Sequence, residues 1–219
     1  MVNLNDFSLG LSIAGFLACL SNLIFSITGK HLKKPQNKLY LLMLVLLAIS
    51  AGCGTAAYLS EPHKLYSDTA FHVLTISRYV YFLAHSLLPP LFFWYISFVV
   101  GRSINWNPRS MQHQSEKKFL FHNFSVLAVA AMELLIICNP LLHWTWTFDE
   151  SRDFQRENGE MLIYIQAAFW LTAAIILLTH SWNILSPNRK HALAVCYALV
   201  LFGILIQLFF PEIYIEVLM

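Results

Sequence analysis

Arg78 and Glu133 are the two charged residues that stand inside the long apolar stretches of this 219-residue chain. Gln166 and Gln207 share that setting. A charge in hydrocarbon costs a few kcal/mol or more, so Arg78 and Glu133 are expected to face inward and toward each other. On a helix through 72–100, Arg78, Tyr81, His85 and Pro89 recur at i, i+3, i+7 and i+11, which is one face. At 1.5 Å per residue, Arg78, Glu133, Gln166 and Gln207 all lie roughly 5–9 Å inside the same boundary. One chemistry that fits is an outward-facing polar pocket, ringed by aromatics, that takes a small ligand. Arg78 suits an anionic head group, and the aromatics suit a ring or a lipid. A buried ion pair with glutamine hydrogen bonds, serving only to fix helix register, fits the same residues.

Six apolar runs must position these groups: 9–27, 39–59, 72–100, 119–138, 161–182 and 191–210. Each approaches or exceeds the ~20 residues with which a helix crosses ~30 Å of hydrocarbon. With 58% hydrophobic and 12% charged residues, the chain lacks the polar shell of a soluble domain. The expected fold is an all-α membrane protein: one bundle of six transmembrane helices over 1–219, with 213–219 as the start of a seventh.

The loops are sorted by charge. Lys30, Lys33, Lys34 and Lys38 share the first, Arg102, Arg109, Lys117 and Lys118 the third, and Arg189 and Lys190 the fifth, ten of the fourteen basic residues. Acids gather on the other side, at Glu61, Asp68, Asp149, Glu150, Asp153, Glu157 and Glu160 among others. The positive-inside rule then puts the amino terminus outside and the lysine loops in the cytoplasm. No cleavable signal peptide is expected, and the first helix reads as a retained anchor. The basic residues are juxtamembrane, which serves orientation and anionic lipid and excludes a nucleic-acid groove.

Cys19, Cys53, Cys138 and Cys196 fall in or at the end of apolar runs without a CxxC pair, so neither a disulfide framework nor a metal site is expected. His85 and His122 could in principle approach within a haem's axial span, but a lone intramembrane histidine is more often a hydrogen-bonded packing residue, and no cofactor is expected. Gly52-Cys53-Gly54-Thr55-Ala56-Ala57 matches a dinucleotide fingerprint in letters only, since it sits in a membrane span rather than at a strand-to-helix turn. HExxH, GxSxG and P-loop patterns are absent from the sequence, and no catalytic residue is assigned.

Small residues predict close approach of the first two helices: Ala14, Gly15, Ala18 and Ser21 on one, and the stretch 50–57 on the other. Pro89-Pro90 removes two backbone donors in the third helix and makes it a candidate hinge or a fixed bend. In the loop 139–160, residues 143–148 alternate polar and aromatic, 149–153 can turn, 154–156 can return and Asn158-Gly159 ends the element. The expectation is an external β-hairpin between the fourth and fifth runs, lying over the bundle mouth. Trp144 and Trp146 either line the ligand site or belong to the interfacial aromatic belt.

Asn139-Pro140 closing the fourth run, the hairpin ending in Phe148-Asp149, Arg156-Glu157-Asn158-Gly159 before the fifth, and Arg189-Lys190 opening a helix that ends Gln207-Leu208-Phe209-Phe210-Pro211 carry a resemblance. Together they look like the amino-terminal seven-helix input regions of bacterial GGDEF-type diguanylate cyclases and some membrane histidine kinases. That resemblance implies a multi-pass sensor of the bacterial inner membrane whose last helix leads to a cytoplasmic catalytic domain. It covers most of the chain in layout, with its motifs concentrated in 139–211. The chain departs from the pattern at Met219, where a seventh helix is expected to begin and the output domain to be missing. Homodimers occur among such modules, and no residue here decides for one.

The functional expectation is therefore a membrane-embedded input module for an external or membrane-dissolved small molecule. A small transporter using the Arg78 and Glu133 layer is the alternative. Against it, the polar residues cluster at the outer end rather than the midplane, and no inverted repeat is visible. A purely structural anchor is the third reading.

Overall fold

The structure, a computed structural model, describes residues 4–28, 35–100, 116–187, 190–191, 193–195 and 197–198. In chain order these form α1 (Leu4–Thr28), α2 (Pro35–Ser60), a 3-10 turn (Glu61–His63), α3 (Asp68–Val99), α4 (Glu116–Ile137), α5 (Asn139–Leu142), β1 (Trp146–Phe148), β2 (Phe154–Arg156), α6 (Glu160–His180) and a second 3-10 turn (Trp182–Ile184). Residues 190–191, 193–195 and 197–198, in the sixth apolar run, are helical as well, while 199–210 and Gln207 lie outside the described residues. The described residues are thus mostly helical, with one small antiparallel sheet among them.

Among the described residues, three segments are long and apolar enough to cross a membrane: Gln36–His63, Asp68–Val99 and Glu160–His180. Shorter apolar stretches, Ser12–Thr28 and Phe124–Ile137, fill α1 and α4. The segment Asp68–Val99 is the most enclosed: half of its most apolar window is buried in the protein, against 22% for the other two. Side chains such as Leu59, Ile165 and Ile176 are left outward-facing and apolar, as lipid would require.

Local chemistry starts and stops these helices. Pro35 opens α2, where the missing N–H is one that no helix carbonyl would have paired. Ser67 Oγ accepts the Ala70 N–H at 3.3 Å and caps α3, whose first turn carries Asp68. Glu160 in the first turn of α6 and His180 in its last complement the helix dipole. The third helix runs unbroken through Pro89 and Pro90. Those prolines have no N–H to offer the carbonyls of His85 and Ser86 one turn earlier.

The chain divides into two compact units, one of 1–85 with 181–219 and one of 86–180. In the first, α1 packs against α2 as expected, but of the four small residues expected to make the approach from α1, Gly15 alone is buried, while Ala14, Ala18 and Ser21 are exposed. Ser12, Gly15, Ser50, Ala51 and Ala57 are buried, and Gly52 faces the Phe16 ring. In the second, α6 presents a stripe of buried residues, Ile163, Trp170, Ala174 and Leu178, at helical spacing. Trp170 is its anchor, 5.2 Å from Phe93 and 6.4 Å from Trp94 between ring centroids.

The hairpin matches the expected turn and return. β1 and β2 pair antiparallel with Trp146 opposite Arg156, Thr147 opposite Gln155 and Phe148 opposite Phe154. The first strand begins at Trp146 rather than at His143, because α5 and the backbone after it occupy 139–145.

Candidate functional site

Within the 86–180 unit, polar side chains interrupt the apolar helices at two places. Ser86 Oγ on α3 donates a 2.6 Å hydrogen bond to Glu133 Oε1 on α4. Charge-assisted bonds of this length are among the stronger side-chain interactions, and they answer part of the desolvation of a half-buried carboxylate. On α6, both polar atoms of the Gln166 carboxamide are buried and neither has a hydrogen-bond partner. Leaving such groups unmet costs about 1–3 kcal/mol each. Glu133 and Gln166 are thus polar residues at half-buried positions of α4 and α6. Ser86, which completes the pair with Glu133, carries no sequence signal, because serines are common in membrane helices.

Arg78, Tyr81 and His85 lie in the other unit, on the first half of α3. Arg78 is half-buried and Tyr81 is buried. Tyr81 and His85 stack one turn apart, with centroids 5.3 Å apart and planes within 9°. The imidazole of His85 is therefore held flat against an aromatic ring, the packing role weighed against haem ligation. The side chain of His122 lies outside the described residues, and no group of three or more metal-binding side chains occurs among the described residues.

Trp144 and Trp146 part company. Trp146 is 4% exposed in the hairpin core, whereas Trp144 is 41% exposed beside Leu141 and Leu142, also exposed. The belt reading suits Trp144 and not Trp146. The residue that organises both is Asn139. Its Oδ1 accepts the N–H of Trp144 at 3.0 Å and of Thr145 at 2.8 Å, and its Nδ2 donates to the Trp146 carbonyl at 3.0 Å. In sequence, Asn139-Pro140 reads only as a helix terminator.

The return to α6 is fastened twice. The N–H groups of Glu157 and Gly159 donate to the carbonyls of Thr145 and Trp144 at 3.0 and 2.9 Å. A Cβ on Gly159 would stand 2.7 Å from the Trp144 carbonyl oxygen, so glycine is required there for room rather than for its dihedral freedom. Arg156 donates to the Tyr164 hydroxyl at 3.3 Å, which donates to Glu160 at 3.1 Å. That chain of bonds surrounds a carboxylate only 6% exposed, with Arg156 Nη1 at 3.6 Å completing the ion pair. At the tip, Arg152 takes a left-handed conformation (φ 59°), and Asp149 binds the Asp153 N–H and the Gln155 amide.

Compared with protein-family models, curated proteins and solved structures, the chain matches none.

Proposed function

We propose that this chain is a membrane-embedded signal-input module that senses an external or membrane-dissolved small ligand and relays it to a cytoplasmic signalling domain. The observation that carries the reading is the set of polar groups inside apolar helices, above all the unpartnered Gln166 carboxamide and the Ser86–Glu133 bond. Polar groups at such sites are costly in lipid and are kept mainly where they serve a function. A ligand that binds one arrangement of the helices better than another shifts their populations, and Pro89-Pro90 is the proposed hinge. In this reading the module crosses a bacterial inner membrane six times, amino terminus outside.

The charge sorting supports that topology: Lys64, Arg152 and Arg156 are the three basic residues of the loops placed outside, against ten in the loops placed in the cytoplasm. The topology predicts that a cysteine replacing Glu150 at the hairpin tip reacts with an impermeant maleimide added outside intact cells. One replacing Lys33 should react only after lysis; equal labelling of both from outside would refute the arrangement. The transporter alternative keeps the same polar groups and predicts solute uptake by vesicles that hold the chain alone. The sensor predicts ligand binding without uptake.

A further inference from the structure

The Gln166 side chain places two unmet hydrogen-bonding atoms, one donor and one acceptor, side by side on a fixed planar edge. Its position on α6 is informative. The buried stripe passes Ile163 and resumes at Trp170, and neither Gln166 nor Ala167 between them is fully buried. One turn beyond, Trp170 is 1% exposed against Phe93 and Trp94, so the α6 face that bears Gln166 is an aromatic one. Both amide atoms are closed off from solvent, so a ligand reaches this edge in an arrangement in which the neighbouring helices part.

An amide edge of this kind is met completely by one chemical pattern, a carbonyl next to an N–H or O–H. A lone carbonyl meets only the donor, and an ion has no counter-charge on the amide and would be desolvated. The adjoining rings favour a flat aromatic body, by stacking and by area. We propose that Gln166 is the recognition edge for a neutral, membrane-soluble aromatic lactam or its hydroxy-carbonyl equivalent, paired through two parallel hydrogen bonds. This rests on the reading of the chain as a ligand-binding input module and names the chemical class of its ligand.

The test uses the full chain in phosphatidylethanolamine–phosphatidylglycerol nanodiscs, titrated with 2-quinolone and with N-methyl-2-quinolone. The two rings share shape and carbonyl, but the second lacks the N–H. Wild type should bind 2-quinolone about tenfold more tightly, the worth of one buried hydrogen bond and the orphan it would leave. Gln166→Leu should bring the two affinities together. With glutamine labelled by ¹⁵N, the Gln166 side-chain amide resonances of the wild type should move on binding 2-quinolone, which reads the contact without any variant. Equal binding of both rings, or unmoved Gln166 resonances, would overturn the lactam edge while leaving a ligand-binding module in place. Binding of neither ring up to its solubility would overturn the edge and count against the input-module reading as well.

Discussion

Asn139→Ala releases the hairpin from the end of α4, with an expected loss of about 3–5 kcal/mol in the stability of that segment. The magnitude follows from what the side chain does. It is 2% exposed and meets the N–H groups of Trp144 and Thr145 and the carbonyl of Trp146. Alanine would leave two buried donors and one acceptor without partners, at about 1–3 kcal/mol each, partly relieved by water entering. Amide hydrogen exchange at 144–146 reads the effect directly, and protection there should fall by roughly two to four orders of magnitude. Asn139→Asp keeps the acceptor and loses the donor, so it should retain more protection than alanine. Unchanged exchange in Asn139→Ala would mean that the β1–β2 pairing holds the hairpin unaided.

Trp170→Ala should destabilise the 86–180 unit by ~3 kcal/mol. Truncating a buried tryptophan in a water-soluble core costs about 3–5 kcal/mol, part of it transfer from water and part the cavity left behind. In a bilayer the transfer contribution shrinks, because lipid solvates the exposed ring, and packing dominates. The indole packs against Phe93, Trp94 and Phe169, the last edge-on at 5.3 Å, and alanine reaches none of these rings. Unfolding in mixed micelles of rising detergent strength should show the loss, and Trp170→Phe should recover more than half of it. A neutral Trp170→Ala would mean that α6 is not held by this aromatic cluster.

What could be read in advance divides along physical lines. Long apolar runs announce helices because lipid tolerates little else, and α2, α3 and α6 lie where hydropathy puts them. The hairpin is legible from the alternation at 143–148, of which 146–148 form the strand, and from the turn-forming acids after it. Its anchoring is not. A single asparagine before a proline looks like a helix stop, and only the folded backbone reveals that its amide gathers the N–H groups of 144 and 145. Gly159 was legible as a turn glycine, but its cause is the Trp144 carbonyl, a neighbour fifteen residues away. Two tryptophans two positions apart looked equivalent, and the fold separates them into a buried Trp146 and an outward Trp144. Glu133 and Gln166 were conspicuous as polar residues in apolar runs, whereas Ser86 was hidden among serines. Depth along a helix is countable from sequence; the partner across the interface is not.

The measurement that bears most directly on the input-module reading is thermal unfolding of the chain in nanodiscs, with and without an organic extract of bacterial membranes. Wild type is compared with Gln166→Leu and with Glu133→Ala. A ligand that binds the folded state at a hundredfold excess over its Kd adds about 2.7 kcal/mol, enough to raise the unfolding midpoint by several degrees. The account predicts that rise for wild type and its loss in both variants, each of which should still fold as judged by helical circular dichroism. A midpoint that no fraction of the extract moves, or one that moves equally in all three proteins, would contradict it.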